Sequence, residues 1–190
     1  DVLATGGTAR AKIDLVNRKV LGTLKLSRYL DRPDALALIA ATNPKESKNS
    51  KKVPDPAQPG AEICTTPGMP QDVRASPDGR FYYVADMMSD GVHLVDGESF
   101  RQVGFIPTGI GAHGLYPSRD GKRLYVANRG SNRINGPRGG KGSVSVIDFA
   151  TAKVVATWPV PGGGPDGPSR WGRGWTRRRA PSGGWPTRGC

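Results

Sequence analysis

Residues 70–86 read PQDVRASPDGRFYYVAD, and residues 112–128 read AHGLYPSRDGKRLYVAN. A shift of 42 positions lays Asp78-Gly79 on Asp120-Gly121, Arg80 on Lys122, and Tyr83-Val84-Ala85 on Tyr125-Val126-Ala127. The match continues downstream, where Gly91-Val92-His93-Leu94-Val95-Asp96 aligns with Ser143-Val144-Ser145-Val146-Ile147-Asp148. There the shift has grown to 52, so the second copy carries a ten-residue insertion within Arg129–Gly142. Asp-Gly supplies the positive φ of a tight hairpin turn. The Val-, Tyr- and Leu-rich runs on either side, alternating with period two, read as short strands. Each unit holds four of them: 72–76, 81–86, 91–96 and 101–106, then 114–118, 123–128, 143–148 and 153–158. A repeat of about forty residues made of one four-stranded sheet cannot bury both faces alone, and stacking the sheets radially does.

A partial third copy opens the chain. Lys12-Ile13-Asp14-Leu15, followed by Arg18-Lys19-Val20-Leu21-Gly22-Thr23, matches Val146-Ile147-Asp148-Phe149 followed by Ala152-Lys153-Val154-Val155-Ala156-Thr157. Another copy starts at Gly164-Pro165-Asp166 and then stops. The expected fold is all-β, a β-propeller fragment of four-stranded antiparallel blades, with two complete blades and parts of others. The divisions are 1–26 (partial blade), 27–67 (rim insertion), 68–110 (blade), 111–162 (blade with loop insertion 129–142), 163–169 (start of the next blade) and 170–190 (an aberrant, disordered tail).

Two segments break the repeat. Within 27–67, Asp31-Arg32-Pro33-Asp34 followed by an Ala/Leu/Ile run reads as one short helix ended by Asn43-Pro44. Lys45 to Pro59 reads as solvated loop. Residues 170–190 hold six Arg and no acid, half of the net charge of +12, and contain no Val, Ile or Leu. Arg, Gly, Trp, Pro and Cys are what GC-rich codons give out of frame, so a frameshift near Ser169 is the simplest account; the rival account is a real Arg/Trp segment that binds nucleic acid by charge and stacking or sits at an anionic membrane surface. Because the charge is concentrated there, the body of the chain does not carry the basic face of a specific nucleic-acid binder. No run of eighteen apolar residues exists to span a membrane.

The motif Leu124-Tyr125-Val126-Ala127-Asn128, with Ser143-Val144-Ser145-Val146-Ile147-Asp148 and Lys153-Val154-Val155-Ala156-Thr157, resembles the YVTN (YncE-like) repeat of bacterial β-propellers. Ala127 stands where that repeat has Thr, and Asp86 stands where it has Asn. The resemblance covers about residues 8–26 and 68–166 and implies an exported, extracytoplasmic propeller. It also implies relatives among lactonase-like enzymes and the propeller domains of redox enzymes.

Candidate site residues follow from the blade geometry. His113 precedes the innermost strand of its unit, and Asp72 and Asp166 stand near equivalent inner positions, so these three are the candidate ligand-binding residues. The insertion holds Arg129, Arg133, Arg138 and Lys141 among glycines, a candidate anion contact. It lacks the GK[ST] of a phosphate-binding loop. His93 sits mid-strand beside Val92 and Leu94 and is expected to pack or to face solvent. Ser76 and Ser118 have no evident base, Met87-Met88 is expected at a core edge, and Cys64 and Cys190 read as free thiols. With no CxxC and no Cys/His cluster, no metal and no cofactor are expected. The expected function is a non-catalytic binding or scaffolding module for a protein or small ligand at the propeller rim. The alternative is a lactonase-like or dehydrogenase-associated enzyme with its site at the channel mouth.

Overall fold

In the computed structural model of the chain, the residues described are 2–6, 9–14, 16–41, 52–64, 68–132 and 141–160. A three-stranded sheet comes first: β1 (Val2–Gly6), β2 (Ala9–Asp14) and β3 (Lys19–Lys25), paired antiparallel in that order. The helix α1 (Pro33–Ala41) and a small hairpin of β4 (Lys52–Pro54) and β5 (Glu62–Cys64) follow. Then come two four-stranded sheets. The first holds β6 (Pro70–Ala75), β7 (Phe81–Asp86), β8 (Gly91–Asp96) and β9 (Gln102–Pro107). The second holds β10 (Ala112–Pro117), β11 (Arg123–Asn128), β12 (Ser143–Asp148) and β13 (Lys153–Pro159).

The two repeat units therefore fold as equivalent antiparallel blades. Their innermost strands start two residues earlier than the sequence suggests. The reason is a register shift near each start, between Pro70 and Val73 and between Ala112 and Gly114, which lets the chain rejoin its neighbour one step further out. The Asp-Gly turns are built alike. Gly79 N–H donates to Ser76 O at 2.9 Å and Gly121 N–H to Ser118 O at 3.1 Å, with φ of 72° and 67° at the two glycines. Ser76 Oγ accepts from Phe81 N–H, and Ser118 Oγ accepts from Arg123 N–H. Both hydroxyls are thus turn braces.

The outer turns repeat in all three sheets. Asp14, Asp96 and Asp148 each accept backbone N–H groups from the following turn. Four residues after each Asp comes a left-handed residue: Arg18 (φ 54°), Phe100 (φ 53°) and Ala152 (φ 51°). The same backbone thus recurs at three places where the side chains share little.

Packing is face to face. Inner strand β6 lies beside β10 on one side and β1 on the other. Between the two complete blades, Tyr83, Ala85, Val92 and Ile106 of the first meet Leu124, Val126 and Ile147 of the second in one buried cluster. The ring of Phe149 meets Tyr83 edge-on, 5.2 Å between centroids. On its other face the first blade buries Val84 and Val95 against Leu24 and Leu26, with Phe100 alongside. Because side chains alternate across a strand, Tyr83 and Val84 feed opposite interfaces.

The segment expected as loop to Pro59 gains structure from residue 52 onward. Pro54, Pro56 and Pro59 read as loop, but Arg32 closes the hairpin by gripping both carboxylate oxygens of Asp55, each at 2.7 Å. That two-pronged pair holds the Asp55 carboxyl down at about 2. The helix matches expectation, with Arg32 O accepting from Leu36 N–H and Asp34 in the first turn. Among the described residues, no helix is long and apolar enough to cross a membrane.

Candidate functional site at the inner rim

Strands β7 and β11 end, and strands β6 and β10 begin, at the same rim of the stack. The turn after β7 and the loop after β11 therefore flank the seam between the two blades. Two carboxylates of the first blade hold the backbone of the second. Asp72 Oδ2 accepts from Leu115 N–H at 2.9 Å, while its Oδ1 pairs with Arg74 at 2.6 Å. Asp90 Oδ1 accepts from Gly111 N–H at 2.7 Å, and its Oδ2 lies 3.3 Å from the Asn132 amide. Burial pushes the Asp90 carboxyl above the ordinary range, against the pull of Gly111 N–H and Arg28.

His113 is half-buried on β10, just inside this rim. Burial first, then the Arg129 guanidinium, lower its pKa, and Asp72 opposes them. Among the described residues, nothing hydrogen-bonds its ring. Arg129 is anchored by its own N–H to Gly111 O at 3.0 Å. Its side chain crosses the seam, placing Nη1 2.9 Å from the sulfur of the buried Met87. A thioether is a weak acceptor, and among the described residues it is the partner the guanidinium has. Lys141 is exposed at the far end of the same loop. Arg133, Arg138 and Asp166 lie outside the described residues, as do Cys190, the tail 170–190 and the side chain of Cys64.

The structure thus brings His113, Arg129 and Asp72 to one seam but uses Asp72 as a fastener: both of its oxygens have partners. Sequence reasoning missed Asp90 and a second, fully buried group. His93 does pack, and it does so as part of a polar chain. Its Nε2 lies 3.1 Å from Asp86 Oδ2, and its Nδ1 lies 3.1 Å from Gln102 Nε2. Gln102 Oε1 accepts from Ser27 N–H and its Nε2 donates to Ser27 O, which fixes the amide's orientation. His93 Nδ1 must then accept, so the proton of the neutral ring sits on Nε2 and is donated to Asp86. Asp86 Oδ1 takes N–H groups of Met69, Met88 and Ser89. Burial alone would raise the Asp86 carboxyl, but His93 first, and then the N–H groups of Met69 and Ser89, outweigh it and leave it below the ordinary range. In the other blade Asn128 replaces Asp86 and Ser145 replaces His93, with Asn128 Nδ2 2.9 Å from Ser145 Oγ. The two differences between the copies compensate each other, and that joint change was the readable signal.

Among the described residues, no group of three or more His, Cys, Asp or Glu is placed to hold a metal. Four-stranded antiparallel sheets stacked face to face, with their first strands side by side on the inside, define a β-propeller. The family model of YNCE-like beta-propellers matches residues 33–174, and the chain belongs to that family. No curated protein matches it at a significant level. Solved structures similar to it include Kuenenia stuttgartiensis hydrazine synthase, at 23% identity and a TM-score of 0.41 over 80% of this chain and 43% of that one. Another is a functionally unknown protein from Desulfotomaculum acetoxidans DSM 771, at 17% identity and a TM-score of 0.38 over 82% and 51%. A third is the dihydro-heme d1 dehydrogenase NirN, at 16% identity and a TM-score of 0.39 over 81% and 34%. The chain spans between 34% and 51% of the length of these three structures.

Proposed function

We propose that this chain is a non-catalytic binding module whose ligand surface is the rim where β7 and β11 end. The observation that carries this reading is the placing of His113, on β10, and Arg129, directly after β11, at the seam: β10 and β11 pair there, and Arg129 N–H donates to Gly111 O, two residues before His113. Both are held in place by the blades, and among the described residues neither has its hydrogen-bonding capacity used up. Binding surfaces on rigid scaffolds characteristically present such groups from loops and strand ends. Catalysis by proton transfer or nucleophilic attack calls for several titratable groups aimed at one point. Here Asp72 is committed to Arg74 and Leu115, and Ser76 and Ser118 to their turns.

The test is a thermal-shift screen of small polar metabolites and peptides, run in parallel with a lactone-hydrolysis assay. Binding should raise the melting temperature of the wild type and not of Arg129→Gln or His113→Asn. Lactone turnover that disappears in His113→Asn would replace the binding reading with the enzymatic one. The resemblance to exported propellers supports an extracytoplasmic location, which a reporter fusion to the natural reading frame would test.

A further inference from the structure

We propose that the seam between the two complete blades is an oxoanion site, with the Arg129 guanidinium and the His113 imidazole as donors to a carboxylate or phosphate group. This deepens the reading of the rim as a ligand surface and rests on it. Three observations carry it. First, Arg129 is placed rather than loose: its backbone is tied to Gly111 and its side chain reaches over to Met87 of the neighbouring blade. A cation laid against a thioether has no counter-charge there, and among the described residues it forms no ion pair. Secondly, the acid that acts on His113 already has a cation of its own. Asp72, which acts on His113, pairs with Arg74 at 2.6 Å, so it does not repel an incoming anion at full strength. Asp90, a further acid of the seam, has both oxygens turned onto donors, Gly111 N–H at 2.7 Å and the Asn132 amide at 3.3 Å. Thirdly, the half-buried ring of His113 lacks a partner among the described residues, so either nitrogen can carry the donated proton.

The chemistry matches an anion. A planar guanidinium binds two oxygens of a carboxylate or phosphate at once, and charge-assisted hydrogen bonds of this kind are the strong ones. A bound anion also favours the imidazolium form, which burial and Arg129 disfavour in the free protein. Binding therefore takes up a proton at His113, and affinity rises as the pH falls from 8 toward 6.

The chain has two histidines, which makes the experiment direct. Imidazole nitrogen NMR spectra of the full chain are recorded at low ionic strength during titration with inorganic phosphate and, separately, with acetate. The His113 resonances should move saturably, and those of the enclosed His93 should stay fixed. Arg129→Gln should weaken the response about tenfold or more, the loss expected for a charged hydrogen-bond partner. Arg129→Lys should retain part of it, and unchanged His93 signals certify the fold of each variant. Phosphate binding without acetate binding would identify a phosphate site, and the reverse a carboxylate site. A still His113 in both titrations overturns the proposal. So does a shift that survives Arg129→Gln, which would trace the anion to the arginines of residues 170–190. If the metabolite screen finds a ligand while His113 ignores both anions, the binding module stands and the oxoanion site falls. If the screen shows lactone turnover instead, the module itself falls.

Discussion

The Nε2 of His93 lies 3.1 Å from Oδ2 of Asp86, and both side chains are wholly buried. The corresponding pair in the next blade is Asn128 and Ser145. Asp86→Asn alone would turn an amide N–H toward the His93 N–H and is expected to cost about 2 kcal/mol, the penalty of an unsatisfied buried donor. His93→Ser alone would strip the carboxylate of its ring partner and leave a void, at a similar cost of about 2 kcal/mol. The double variant rebuilds the Asn/Ser arrangement of the other blade. Its loss, read from urea unfolding, should fall short of the sum of the single losses by about 1 kcal/mol or more. Strict additivity would show that the two positions are independent.

Asp86 and Asp90 bend the pH dependence of stability in opposite directions. The Asp86 carboxyl is held below its ordinary value of 3.8, so its contribution is present above that value and is lost as the pH falls through the folded-state pKa. The Asp90 carboxyl is held above 3.8, so its contribution is present below that value and is lost as the pH rises through the folded-state pKa. Asp90→Asn keeps an oxygen for Gly111 N–H and removes the second effect. Urea midpoints measured from pH 7 down to pH 3 should therefore fall more steeply in Asp90→Asn than in the wild type. At pH 7 the variant should be at least as stable. A shallower acid limb in the variant would contradict the assignment.

Tyr83 and Tyr125 occupy the same repeat position in neighbouring blades. Tyr83 is 1% exposed and capped by Phe149, while Tyr125 is partly exposed and tilts against Trp158 at 5.7 Å. Tyr83→Ala should cost about 3–5 kcal/mol, as large core truncations do, and Tyr125→Ala less than half as much. Thermal melts of the two variants give the comparison, and equal losses would mean that the Tyr125 face is as well covered as the Tyr83 face.

Gly79 and Gly121 sit at φ of 72° and 67° with room for a methyl group, so replacement meets backbone strain and little else. Each Gly→Ala change should cost about 1 kcal/mol. Because Gly121 lies against Pro77 of the neighbouring turn, the loss in the double variant should depart from the sum of the single losses. Urea unfolding of the three variants decides this, and a negligible loss would show that the turns relax to another geometry.

The blades were legible because period-two patterning and Asp-Gly turns are local signals, repeated 42 residues apart with the same spacing to Tyr-Val-Ala. His113 and Arg129 could be placed near the rim because strand order follows from the repeat. What strand order could not show is which groups the fold would consume. Asp72 reads as an inner carboxylate, and only the approach of Leu115 N–H from the next blade makes it a fastener. The hairpin over residues 52–64 escaped because its prolines argue for loop, and because its closing partner, Arg32, lies 23 positions before Asp55. Distant partners of this kind leave no periodic trace.

The outer turns at Asp14, Asp96 and Asp148 carry a further consequence. A left-handed residue other than glycine costs about 1–2 kcal/mol, yet the three copies tolerate Arg18, Phe100 and Ala152 there. The aspartate that gathers the turn's N–H groups sets the path of the chain, and the residue at the bend follows it. Such a corner can change its side chain freely without moving the strands it joins. Phe100 has already used that freedom: its ring sits 3.6 Å from the Cβ position of Gly22 in the preceding sheet. Duplicated units can in this way diverge at their corners first, each acquiring a different grip on its neighbour while the common framework is inherited unchanged.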